Sequence, residues 1–335
     1  MSFAMPAEWD PHDAVWTAWP YDSEQWAEGL EAPRLALMNM CAAIADGGRG
    51  ERVELLVRDE RDEAHARELL GSSSQHVRCH RASYGDVWLR DTGPIFVADG
   101  VELAAAQFRF DGWGGKYVMT GDRDVSSRVI EWTGIRGAAF DFVLEGGAVE
   151  VDGAGALMTT KQCLLGGNRN PGMTAAQLEA RLGWALGASR IVWLDQGLQN
   201  DHTDGHIDTI ARFVAPGVVA CMEPAPSDPN ADALVAIIAD LRGARLDIVT
   251  VPSPGEVRDA SGTVMPASYM NFYIANTTVV VPTYETAADD RAVAAIAKLF
   301  PSRKTIGLPC KPVVVGGGGF HCCTQQQPTR ATVRA

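Results

Sequence analysis

The chain contains no apolar run of the ~20 residues needed to cross a bilayer, and it has no basic excess. Its 29 Lys and Arg stand against 42 Asp and Glu, for a net charge of −13. A surface that binds nucleic acid needs a basic stripe to neutralise phosphates, so neither nucleic acid nor membrane is expected as a partner. Cysteine is sparse: seven residues, at positions 41, 79, 163, 221, 310, 322 and 323, an odd number without a C-x-x-C pair. That pattern argues against a disulfide framework and for reduced thiols in a cytoplasmic setting. The first residues mix charge, proline and tryptophan and lack the basic-then-apolar order of a secretory signal. No low-complexity linker divides the chain. What remains is a soluble globular composition, 46% hydrophobic and 21% charged over 335 residues, enough for one large domain or two ordinary ones. The acidic balance gives weak support to a cationic small molecule as ligand.

Strand-like runs rich in Val, Ile, Phe and Thr fall at 53–57, 101–110, 148–151, 191–194, 207–214, 218–222, 247–251, 272–281 and 312–315. Helical windows fall at 32–45, 61–70, 175–186, 232–241 and 289–299, with Thr174 and Thr286 as N-terminal caps and Gly187 and Gly243 as stops. In the third window Ala175, Leu178, Leu182 and Leu186 recur on one face. The stretch 71–173 shows strands and loops without an equally clear helix. The alternation predicts an α/β chain built of β-rich units with one helix each, although the units are not visibly alike in sequence.

Four polar segments carry the residues that could do chemistry. Residues 86–94 hold Asp86, Trp88, Arg90 and Asp91 before a Gly-Pro turn, and an ordinary charged turn would look the same. Glu145 precedes Gly146 and Gly147, as it would in a simple bulge. Residues 201–208 crowd Asp201, His202, Asp204, His206 and Asp208 into eight positions. If 206–211 is a strand, His206 and Asp208 share a face, where two polar groups need partners or a ligand. His202 and His206 have the spacing of a helical metal pair, but Gly205 and the β-branched residues beyond it disfavour a helix, and no glutamate stands between them. A zinc site on Cys322 and Cys323 lacks supporting ligand spacing. The fourth segment, 316–328, runs through four glycines, including Gly318, to His321, Cys322 and Cys323. Glycine lets backbone pass close to a ligand, and the thiol at its end is a candidate nucleophile. In an extended segment only one of the two adjacent cysteines would face the site.

Together these residue types are what hydrolysis of a guanidinium requires. The group is planar, cationic and protected by resonance. It calls for paired carboxylates that match its N–H fork, a thiol nucleophile, a histidine to protonate departing ammonia and then activate water, and an aromatic face for the cation. A non-catalytic domain that binds a cation is the alternative from a different class.

The chain resembles the agmatine deiminases, a branch of the guanidine-modifying (pentein) superfamily that also includes bacterial peptidyl-arginine deiminases. The resemblance rests on Met5-Pro6-Ala7-Glu8-Trp9, residues 16–20, 86–94, Trp113-Gly114-Gly115-Lys116-Tyr117, 144–147, Cys163-Leu164-Leu165 and Asn168-Arg169-Asn170-Pro171. It continues through Gly205-His206-Ile207-Asp208, Ser268-Tyr269-Met270-Asn271-Phe272, His321-Cys322 and 324–328, and so covers nearly the whole chain. It implies a five-bladed α/β propeller with one central site: a single catalytic domain over 1–335, with five pseudo-repeats and a short N-terminal extension, compatible with a homo-oligomer. It also implies Cys322 as nucleophile, His206 as acid–base residue, and Asp91 and Asp208 as guanidinium ligands. Trp88, Trp113, Glu145 and Gly318 would lie around the substrate, with no metal or cofactor. Agmatine is the substrate it implies, with peptidyl or free arginine, or amidino transfer to an amine, as rivals. The chain departs from the family pattern at Gly319 (usually Asn), Cys323 (usually Ile) and Asp111-Gly112 (usually Asn-Ala).

Overall fold

The computed structural model describes residues 3–26, 28–225 and 228–330. Among them the strands form five separate sheets, one of four strands and four of three. Strands β1 (His12–Ala18), β2 (Arg52–Val57) and β3 (Val77–Arg81) run parallel. Their crossovers contain helices α1 (Glu31–Ala45) and α2 (Glu60–Leu70), as parallel neighbours require. The helical turn α3 (Leu89–Thr92) leads into a second sheet of β4 (Ile95–Ala98) and β5 (Leu103–Arg109), then helix α4 (Asp122–Thr133) and β6 (Arg136–Val143). The third contains β7 (Glu150–Val151), β8 (Ala156–Thr160), the turn α5 (Lys161–Leu164), helix α6 (Ala175–Leu186) and β9 (Arg190–Leu194). The fourth contains β10 (Ala211–Ala215), β11 (Val218–Glu223), α7 (Ala231–Gly243) and β12 (Asp247–Pro252). The fifth contains β13 (Tyr273–Ile274), β14 (Thr278–Thr283), α8 (Asp289–Leu299) and β15 (Lys304–Pro309), before the turn α9 (Lys311–Val314) and β16 (Gln325–Pro328).

One rule repeats through sheets two to five. An antiparallel pair is followed by a helical crossover to a parallel third strand. In the first sheet β16 supplies the antiparallel partner of β1, so the two ends of the chain complete one unit. The indole Nε1 of Trp16 donates to Gln327 Oε1 at 3.0 Å across that junction. The central strands β8 and β14 are almost wholly buried, as expected of strands covered on both faces. The mixed α/β class and the unit of strands plus one helix are those expected from sequence.

Three local expectations fail for identifiable reasons. Residues 312–314 belong to the turn α9 rather than to a strand over 312–315, with Pro312 in its first turn, where proline is tolerated. Residues 207–209 form a 3-10 turn, and the strand begins at Ala211. Positive φ at Asp204 (64°) and Gly205 (83°) turns the chain just before it. Helix α4 lies inside the stretch read as helix-poor. It buries only Asp122, Val125, Ser126 and Val129, too narrow a face to stand out in sequence.

The repeated unit also determines where the polar turns fall. Asp91 lies a few residues ahead of β4, Glu145 and Gly147 ahead of β7, and His206 and Asp208 ahead of β10. Asn271 lies just ahead of β13 and Cys322 just ahead of β16. Each unit therefore delivers one buried turn from the same place in its plan.

Candidate active site

Asp91 is buried on the helical turn α3. Its Oδ1 accepts the backbone N–H of Gly147 at 2.9 Å, and its Oδ2 accepts Trp113 Nε1 at 2.9 Å. Trp113 is held at a positive φ of 55°, between Gly112 and Gly114, which are also positive. Asp111 Oδ1 accepts the Gly114 N–H at 2.8 Å. A Cβ at Gly112 would lie 2.5 Å from the Tyr117 carbonyl oxygen. The Asp111-Gly112 pair thus builds the turn that aims the indole at Asp91.

Cys322 is 5% exposed. Its Sγ lies 3.4 Å from Asp208 Oδ2 and accepts Asn271 Nδ2 at 3.1 Å. Asn271 Oδ1 in turn accepts the backbone N–H groups of His321 (2.9 Å) and Cys322 (3.3 Å). A Cβ at Gly319 would lie 2.5 Å from that same oxygen, so Gly319 makes room for the amide that holds the nucleophile loop. Residues 321–323 are a turn rather than extended chain. Cys323 is nonetheless fully buried and lies outside the cavity lining, so only Cys322 faces it.

His206 is completely buried. Its Nδ1 lies 3.7 Å from Asp91 Oδ2, and its Nε2 lies 3.8 Å from Glu145 Oε2. Gly147 sits where these groups meet. A Cβ there would fall 2.6 Å from His206 Nδ1, 2.9 Å from Asp91 Oδ1 and 3.2 Å from Asp208 Oδ2. Glu145 is held by Arg169, whose Nε reaches both carboxylate oxygens at 2.8 and 2.9 Å. Cys163 completes a buried group with Glu145 and His206 whose donor atoms lie within 4.8 Å of one another. These residue types can hold a metal ion, but here the carboxylate already serves a guanidinium.

Burial drives the electrostatics and neighbouring charges set the direction. Burial, reinforced by the negative charges of Asp208 and Asp91, holds the Cys322 thiol well above its ordinary pKa. Burial also lifts Asp91, with Asp208 and Glu145 adding to the rise. Burial opposes a charge on His206, but Asp91, Cys163 and Glu145 outweigh it and hold its pKa well above the ordinary value. Burial raises Asp86 to about 7. Burial and the carboxylates thus disfavour the Cys322 thiolate, while the same carboxylates favour the His206 imidazolium.

A cavity of about 170 Å³ opens over this centre. Trp88, Asp91, Trp113, Gly318 and Cys322 are among the residues that line it. The Trp88 indole donates to Asp86 Oδ2 at 2.8 Å and stacks on Trp26 with ring centres 6.0 Å apart. His206, Asp208 and Glu145 lie behind this lining. Asp208 touches the sulfur directly, and His206 adjoins Asp91. Glu145 adjoins His206 rather than the cavity. Sequence reading gave no role to Asn271, Gly147, Arg169, Glu8 or His321. For Asn271 a signal existed: a lone amide in the apolar run 269–274, which burial would force to find partners.

The sequence profile of the Porphyromonas-type peptidyl-arginine deiminases matches residues 4–328. The agmatine deiminase of Pseudomonas syringae pv. tomato is 36% identical, over 97% of this chain and 95% of its own. The solved agmatine deiminase of Enterococcus faecalis superposes with a TM-score of 0.90 at 31% identity, covering 98% of this chain and 96% of the other. A C. jejuni agmatine deiminase, solved with a Cys-to-Ser replacement and substrate bound, gives a TM-score of 0.90 at 25% identity, over 98% and 97% of the two chains. Fold, turn placement and near full-length similarity lead to one conclusion: the chain belongs to the Porphyromonas-type peptidyl-arginine deiminase family.

Proposed function

We propose that the protein is an agmatine deiminase, a hydrolase that converts the guanidinium of agmatine to the ureido group of N-carbamoylputrescine and releases ammonia. The observation that carries this reading is the Cys322 sulfur, which lies 3.4 Å from Asp208 and opens on a cavity walled by Trp88, Asp91 and Trp113. A cation bound between Asp91 and Asp208 offsets the charges that keep the thiol neutral, so the thiolate forms once substrate is present and its proton leaves to water. Sulfur attacks the central carbon and forms a C–S bond. The His206 imidazolium then gives its proton to one nitrogen, the C–N bond breaks, and ammonia departs from an amidino-thioether. The neutral imidazole takes a proton from water, the hydroxide adds to the same carbon, and the C–S bond breaks as the adduct's O–H proton passes to the departing sulfur, which leaves the ureido carbonyl, the thiol and the imidazolium.

Charge favours agmatine over arginine. Glu24, Asp86 and Asp91 line the cavity, and among the described residues its lining contains no Lys or Arg. A second ammonium is welcome there, and an α-carboxylate is repelled. The five sheets, each preceded by a site turn, support a five-bladed propeller around one centre and a single catalytic unit. Seven free cysteines support a cytoplasmic setting, and no described helix is long and apolar enough to cross a membrane. The test is ammonia release from agmatine, free arginine and a peptide with C-terminal arginine. Agmatine should be strongly preferred, Cys322→Ser should abolish turnover, and Cys323→Ser should retain it. Turnover by Cys322→Ser would overturn the assignment.

A further inference from the structure

Asp208 is held from behind by a chain of buried groups that reaches the N-terminal segment. Its Oδ2 meets His321 Nδ1 at 2.8 Å, and His321 Nε2 meets Glu8 Oε2 at 2.7 Å. Glu8 is anchored in turn. Its Oε1 accepts the Ile274 N–H at 2.8 Å and lies 2.9 Å from Arg212 Nη2, while its Oε2 lies 3.4 Å from Arg90 Nη2. All these side chains are almost fully buried. The other Asp208 oxygen, Oδ1, is buried with no hydrogen-bond partner among the described residues. A buried carboxylate oxygen left without a donor is costly, and it is the natural acceptor for an incoming N–H.

We propose that His321 is the positioning residue of this site. Gripped by Glu8, it fixes Asp208 Oδ2 so that Oδ1 is presented to the guanidinium. The imidazole does not touch substrate; it acts by removing the freedom of the carboxylate that does. Both ring nitrogens face carboxylate oxygens, which a single small donor could not satisfy. The N-terminal Glu8 is thereby tied to the catalytic centre although it lies outside the cavity lining. The inference rests on the deiminase reading above.

The test separates the two. Ammonia release by the unaltered protein reports on the reaction, and the variants report on the positioning. In a Cys322→Ser background, expected to bind without turnover, calorimetry compares agmatine with N-carbamoylputrescine, in which an uncharged ureido group replaces the guanidinium and the ammonium is kept. Adding His321→Ala should weaken agmatine by about 10- to 100-fold and the ureido ligand much less. His321→Asn, whose amide N–H can stand near the position of Nδ1, should recover much of the loss. Equal losses for both ligands would reduce His321 to a packing residue and overturn the proposal, as would unchanged affinity for agmatine. Should His321→Ala fail to fold, Glu8→Gln keeps the shape of the anchor while removing its charge. It should produce the same selective loss in smaller measure, and a nonselective loss would overturn the proposal equally.

Discussion

At the scale of single residues, the site is built by close approach, and Gly147 shows how tightly. Its N–H holds Asp91, and its missing side chain is the space between three catalytic candidates. Gly147→Ala would push its methyl group into His206 and Asp91, and displacements near 1 Å can cost about 100-fold in rate. The expected outcome is a loss of at least that order in kcat/KM in a protein that still folds, checked by an ammonia assay beside a thermal melt. The thiol gives a second residue-scale expectation. Because burial and two carboxylates hold Cys322 well above its ordinary pKa, the empty protein carries little thiolate at neutral pH. Its inactivation by iodoacetamide should therefore accelerate as pH rises through 9, since only the thiolate reacts. A rate already at its plateau by pH 7 would contradict the electrostatics described here. Much of this chemistry was legible in the sequence because nucleophile, histidine and aspartates sit in short polar segments beside apolar runs. His321 and Glu8 were not, since His321 finds its partners 113 and 313 positions away in the chain.

At the scale of elements, legibility followed the strength of local signals. Helix α6 was placed correctly because Thr174, Gln177 and Gly187 mark both ends. The Thr174 side chain accepts the Gln177 N–H, Gln177 reaches back, and Gly187 ends the helix at a φ of 72°. Thr174→Ala should cost about 1 kcal/mol, measured as a lowered urea midpoint with unchanged slope and unchanged activity, because none of the residues lining the cavity belongs to α6. Thr286 marks α8 less directly: it bonds the Ala288 N–H, and the cap position itself is Ala288. The site turns themselves show no periodicity. Ile207–Thr209 looked like the start of a strand because its β-branched residues match strand composition. What overrides that preference is the left-handed pair Asp204 and Gly205, together with the Thr203 hydroxyl, which accepts the His206 N–H at 3.1 Å.

At the scale of the whole molecule, the sheets are joined by a shared apolar cluster and also by a buried ionic link. Arg212, at the start of β10, is completely buried. It forms close ion pairs with Glu8 (2.9 Å) and Glu150 (3.0 Å) and donates from Nη1 to the Phe272 carbonyl at 2.6 Å. One guanidinium thus links the N-terminal segment with the third, fourth and fifth units. Removing one partner of a buried network leaves charges without compensation, at a cost of about 3–5 kcal/mol, so Arg212→Ala should lose stability of that order in urea unfolding. Acid dependence separates this from simple loss of packing. Burial pushes Glu8 up, but Arg212, His321 and Arg90 together hold its pKa well below the ordinary glutamate value of 4.5. A carboxyl depressed on folding adds stability that is present above that value and is lost as pH falls through the folded pKa. Without Arg212 the depression shrinks, and part of this contribution disappears with it. The stability gap between native protein and Arg212→Ala should therefore be widest near neutrality and close as pH drops below about 4. A gap that stayed constant down to pH 3 would mean that Arg212 holds the units together by shape and not by charge.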